Sequence, residues 1–116
     1  MKVQKFEDLI AWQKSQDFTV EIYSSFIALK DYSFKDQICR ASISISNNIA
    51  EGFDRSSNAD FSRFLYFALA SCSEVKSMLY LAIKLKYLEV EKANILIINV
   101  TEISKIITGL IKSINK

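Results

Sequence analysis

From residue 1 to residue 116 the chain contains no proline and only two glycines, Gly52 and Gly109. These are the residues that most readily let a backbone turn sharply. A β-sandwich or barrel of this length needs a turn about every ten residues, so the shortage argues against an all-β fold. What remains is a chain of few, long elements: helices. Its length supplies one core rather than two, so a single domain over 1–116 is expected.

Apolar residues recur at three- and four-residue steps in four stretches. The first predicts a helix from about Glu7 to Leu29, with Phe6, Leu9, Trp12, Val20, Tyr23, Phe26 and Ile27 as its stripe. Ser33, followed by Asp36 and Gln37, resembles a capped start for a second helix, Phe34 to Phe53. Ile38, Ser42, Ile45, Ile49 and Phe53 form its main stripe, and Asp54 to Ser57 is the next loop. Ser57-x-x-Asp60 reads as a capping box that starts a third helix near Asn58, continuing to about Lys84. Leu85 to Leu88 is a short connector, and the fourth helix runs from about Glu89 to Ile114. Three short connectors between helices of this length predict an all-α, up-down-up-down four-helix bundle.

If the second and third helices fold back about residue 56, Ser42 and Ser44 face Ala70 and Ala68. The same register sets Arg40 beside Glu74 and Glu51 beside Arg63. Two readings of both arginines stay open: structural ion pairs, or ligand contacts.

The third helix carries more apolar surface than one bundle can hide. From Phe61 to Ile83, sixteen of twenty-three residues are hydrophobic. Phe61, Phe64, Leu65, Ala68, Cys72, Val75, Leu79 and Ala82 fill one stripe, which leaves Tyr66, Phe67, Leu69, Tyr80 and Leu81 pointing elsewhere. A bundle helix normally buries about three positions in seven. Self-association through this outer face, with Tyr66, Phe67, Tyr80 and Leu81 as the interface candidates, is therefore expected, the alternative being that these aromatics lie over helix edges within one bundle.

Catalytic chemistry finds no foothold. The chain has no histidine, which removes the commonest general base and metal ligand. Cys39 and Cys72 do not form a close-spaced motif, and a phosphate loop and a dinucleotide fingerprint are both missing. No catalysis, cofactor or metal is expected. Charge is more informative: residues 65–116 carry seven basic and four acidic groups, whereas the rest is nearly balanced. Lys76, Lys84, Lys86, Lys92, Lys105, Lys112 and Lys116 form either a solvated face or a basic strip that symmetry would multiply for RNA or DNA, with Lys76, Lys84, Lys86, Lys105 and Lys112 as the candidate contacts. Glu7 and Asp8 break any signal-peptide pattern, and charges interrupt both long apolar stretches. A cytoplasmic protein without a membrane span is expected.

At Asn47-Asn48-Ile49-Ala50-Glu51-Gly52 the chain resembles the small four-helix-bundle proteins encoded within intervening sequences of bacterial large-subunit ribosomal RNA genes. Phe6-Glu7-Asp8-Leu9-x-x-Trp12 matches the family's opening. Gln37-Ile38-x-Arg40-Ala41-Ser42-x-Ser44-Ile45-x-x-Asn48-Ile49-Ala50-Glu51-Gly52-x-x-Arg55 matches its central signature, and Phe61-x-x-Phe64-Leu65-x-x-Ala68 continues it. Two positions depart from the family: Ser46 stands where proline is frequent, and Ala70 where glycine is. The resemblance implies a ring, a homopentamer, with no established activity. The architecture is also similar to the accessory variability protein of diversity-generating retroelements, a basic pentameric barrel that binds nucleic acid and a reverse transcriptase. If that role carries over, the matching positions are Arg40, Asn48, Glu51 and Arg55, with loop residue Arg55 the one expected to face a ligand. The sequence-level expectation is thus a non-catalytic, ring-forming accessory or scaffold protein for nucleic acid, with a protein-binding adaptor ring as the alternative.

Overall fold

A computed structural model describes residues 3–116. A 3-10 turn at Phe6–Asp8 precedes four α-helices: α1 (Ile10–Phe26), α2 (Tyr32–Phe53), α3 (Asn58–Lys84) and α4 (Val90–Ile114). There is no strand among the described residues. The single expected helix from Glu7 is thus two pieces. Leu9 is extended and has no side chain that can cap α1, and the Gln13 amide donates to the Glu7 carbonyl at 2.8 Å across the break. Phe6 packs edge-on against Trp12, with ring centroids 5.4 Å apart, and so fixes the turn over the helix start.

The other helix ends follow local chemistry. Asp31, not Ser33, caps α2: its carboxylate accepts the Phe34 N–H at 3.2 Å. An ionised carboxylate is the stronger acceptor, so the helix starts two residues earlier than a serine cap would set it. Ser57 caps α3 as expected, its hydroxyl accepting the Asp60 N–H at 3.1 Å. After α3 the chain reverses through Lys86, at φ 63°, the one residue besides glycine with positive φ among the described residues. The Lys86 and Tyr87 N–H groups donate back to Ile83 and Ala82, which satisfies the last-turn carbonyls in the manner of a helix C-cap. Tyr87 then packs edge-on against Phe34, and its hydroxyl donates to Asp31 at 2.7 Å, tying the α3–α4 connector to the start of α2.

Each helix touches two others: α1 meets α2 and α4, and α3 meets α2 and α4, with no contact across either diagonal. Gln16 donates to Ser46 and Thr19 to the Ser42 carbonyl, while Lys14 meets Glu102 and Lys92 meets Glu21. Asn58 donates to the Ile114 carbonyl and Asn115 to Ser62. Along the contacts of α1 with α2 and with α4, numbers rise on one helix as they fall on its neighbour. Ile22, Ile38, Ile45, Ile49, Leu65, Leu79, Leu96 and Ile107 are fully buried in one apolar cluster. Burying each is worth about 1.5–3 kcal/mol.

Every residue of the expected α3 stripe is buried. The expected α1 stripe is corrected. Ala11, Ser15, Phe18, Ile22 and Phe26 face the core, whereas Val20, Tyr23 and Ile27 are exposed. Ser15 can be buried because its hydroxyl donates to the Ala11 carbonyl at 2.6 Å within its own helix. The small-residue contact of α2 with α3 is also displaced. Ser42 is buried beneath Thr19 of α1 and Ala70 is exposed. The helices approach closely at Gly52, where an added Cβ would meet Phe61 and Phe64.

Candidate interaction surfaces

Three surfaces stand out once the core is accounted for. The first is the outward face of α3. Tyr66, Phe67, Tyr80 and Leu81 are between 45% and 58% exposed, with Ala70, Ser73 and Ser77 exposed among them. They project here because α3 turns its buried stripe toward α2 and α4, and these positions lie on the opposite side of the helix. Among the described residues, no other helix covers them.

The second surface is missing from the sequence reading. Tyr23 and Ile27 of α1 and Lys35, Asp36, Cys39 and Arg40 of α2 line an open groove of about 340 Å³. Its apolar wall is the face assigned above to the core. The signal that could have located it is the alternative stripe through Phe18 and Ile22, which Ser15 disguises.

The third surface is basic. Lys84, Lys86, Lys105 and Lys112 are exposed and Lys76 is half-buried. None of the five has a carboxylate within ion-pair distance; the ion pairs among the described residues are Lys14–Glu102, Lys92–Glu21 and Arg63–Asp60. The lysines are spread along α3, its connector and α4 rather than gathered into one pocket. Lys105 borders a shallow groove with Ile97, Ile98, Thr101 and Glu102.

The two expected inter-helix ion pairs do not form within the chain. Glu74 accepts the Gln37 amide at 3.3 Å, and Arg40 is exposed at the α1–α2 groove. Arg63 pairs at 3.2 Å with Asp60, one turn back in α3, and Glu51 is exposed. A partner one turn away fixes fewer side-chain torsions than one on another helix, and exposed pairs are worth about 0–1 kcal/mol, so proximity decides. Arg55 is exposed in the α2–α3 loop, and its guanidinium lies 4.5 Å from the Phe64 ring centroid. Arg63 lies 4.9 Å from the same ring, so the two arginines flank Phe64. Asn48 does not reach outward; its amide donates to the Ser44 carbonyl at 2.8 Å.

Reactive groups are muted. Cys39 and Cys72 are buried free thiols. Burial pushes the Cys72 thiol up to about 11 against a lesser, opposing hydrogen bond from Ser104, and burial also raises Cys39. No cluster of His, Cys, Asp and Glu able to hold a metal occurs among the described residues. α4 is long and apolar enough to cross a membrane on length and composition alone. Its stripe of Leu96, Val100, Ile103 and Ile107 lies in the core of the bundle.

The profile of the 23S rRNA-intervening sequence protein family matches residues 7–109. The chain is also similar to a crystal structure, at 1.70 Å resolution, of a protein with unknown function from the S23 ribosomal protein family of Bacteroides thetaiotaomicron VPI-5482. That similarity has a TM-score of 0.83 at 32% identity, over 89% of this chain and 99% of that one. No curated protein sequence matches.

Proposed function

The chain belongs to the 23S rRNA-intervening sequence protein family, and from that premise we propose that it is a non-catalytic, self-associating scaffold that holds nucleic acid on its lysine-bearing surface. The observation that carries this reading is the set of five lysines, Lys76, Lys84, Lys86, Lys105 and Lys112, without acidic partners. An ammonium not already neutralised within the fold is free to displace counterions from a phosphate backbone. Net charge is only +2, so one copy offers little field, and repetition of the strip around an assembly supplies it.

The assembly is a ring of up-down-up-down bundles in the cytoplasm, with five copies the number implied by the resemblance. The reversed numbering of the α1–α2, α1–α4 and α2–α3 contacts supports the topology, and the uncovered α3 face supports the self-association. Neither the family nor the structural relative indicates an enzyme. A second reading, an adaptor ring that docks proteins and no nucleic acid, is favoured by the same apolar α3 face.

Salt dependence separates the two. Fluorescence anisotropy with labelled RNA and DNA at about 50 and 200 mM salt should show binding that weakens by orders of magnitude, since each phosphate contact contributes to the salt slope. An absence of binding at the lower salt refutes the nucleic-acid reading and leaves the adaptor. Light scattering should show a mass several times 13.3 kDa at micromolar concentration.

A further inference from the structure

Two of the exposed apolar surfaces among the described residues belong to helices on a diagonal. α1 and α3 do not touch, so the outer sides of these two helices face away from each other. The α3 surface is a row of side chains on a single helix, led by Tyr66, Phe67, Tyr80 and Leu81. The α1 surface is concave: Tyr23 and Ile27, 46% and 75% exposed, wall a groove that α2 completes with Cys39 and Arg40. A row can pack on its like, as in a coiled coil, but a groove cannot fill a groove; a row can fill it.

Charge points the same way. Arg40 lines the groove and has no carboxylate partner among the described residues, while Glu74 stands exposed on α3 with only the Gln37 amide. Within one chain the two do not pair. Between copies, a guanidinium beside the groove and a carboxylate on the row are of opposite sign. We propose that the occupant of the α1–α2 groove is the α3 face of a second copy of this chain, with Arg40 of one copy set against Glu74 of the next.

Each copy thereby uses one surface as a socket and a different one as a plug. Such a head-to-tail contact closes into a ring or grows into a filament, and it cannot stop at a two-fold dimer. The inference rests on the self-association proposed above and adds which surfaces meet.

The test blocks one surface at a time. Ile27→Asp spoils the socket and Tyr66→Asp the plug; both positions are more than half exposed, so the fold should survive, as circular dichroism would confirm. The wild-type chain should assemble, and each variant alone should be monomeric by native mass spectrometry. An equimolar mixture should give a one-to-one dimer and nothing larger, because one good plug and one good socket remain. If wild type assembles but Ile27→Asp alone still dimerises, or the mixture stays monomeric, the plug-and-socket contact is wrong while self-association stands. A monomeric wild type overturns both. For the charge pair, Arg40→Glu and Glu74→Arg should each weaken assembly, and the double variant carrying both swaps in one chain should restore it, whatever the number of copies. Failure of the double variant to recover refutes a pair between copies.

Discussion

Replacing Gly52 by alanine probes a close approach of α2 to α3. Gly52 is buried near the end of α2, and a Cβ built there would lie 2.6 Å from the Phe64 Cβ, 3.1 Å from Phe61 Cδ1 and 3.3 Å from the Phe61 carbonyl oxygen. Ordinary carbon–carbon contact is about 3.5–4.0 Å, so the first of these requires a shift of about 1 Å. Phe64 Cβ is fixed to the α3 backbone, and rotating its ring does not move it; the helices themselves must part. Overpacking costs about 1–3 kcal/mol, and an obstacle anchored to the backbone puts this case in the upper part of that range, about 2–3 kcal/mol. Alanine recovers about 1 kcal/mol of helix propensity, so the net loss should be about 1–2 kcal/mol. Gly109 is the control: nothing lies within 4 Å of its would-be Cβ, and it sits exposed inside α4. Gly109→Ala should therefore stabilise by up to about 1 kcal/mol. Thermal unfolding followed by circular dichroism, at one fixed protein concentration, should show Tm falling by about 3–8 °C for the first variant and rising by a few degrees for the second. If Gly52→Ala melts at or above the wild-type temperature, the close-approach argument is wrong.

Asp31 is held below its ordinary 3.8 by the Tyr87 hydroxyl first and the Phe34 N–H second. A carboxyl with a lowered folded-state pKa contributes stability above its unfolded pKa and loses it as pH falls through the folded one. Asp31→Ala should thus lower the urea midpoint at pH 6, and the gap from wild type should close below about pH 3.8. With Cys72 pushed up to about 11 and both thiols buried, neither cysteine should react with an aromatic disulfide reagent at pH 8 until denaturant is added. Prompt labelling of one thiol per chain in native buffer would contradict the packing around it. Leu65 is fully buried on α3, so Leu65→Ala should lose about 2–5 kcal/mol in chemical denaturation. By contrast Glu21→Gln, which removes a half-exposed partner of Lys92, should change stability by less than about 1 kcal/mol.

The α3 helix was legible because its signals are local. Ser57 and Asp60 set its start through a hydrogen bond three residues long, and its stripe from Phe61 to Ala82 is apolar with no polar interruption. α1 was misread at the one place where its buried stripe passes through Ala11 and Ser15. Small residues carry little hydrophobic signal, and the hydroxyl of Ser15 hides its burial by bonding to its own helix. The consequence reached the candidate surface: Tyr23 and Ile27 were assigned inward, so the groove they wall was invisible. The register of α2 on α3 was readable, and Gln37–Glu74 and Phe53–Phe61 fall close to it. The charge pairs drawn from that register were not, because long exposed side chains choose among partners nearly equal in energy.

The absence of diagonal contacts has a consequence for how the molecule breathes. α1 is the shortest of the four helices, and it buries five residues where each of the others buries seven to ten. It is tied to α4 at the surface by two half-exposed ion pairs. Sub-global opening therefore starts with α1 lifting away from a three-helix remainder, and its amides should exchange with solvent before those of α3. The same helix forms one wall of the α1–α2 groove, so whatever seats there clamps the segment that detaches most readily.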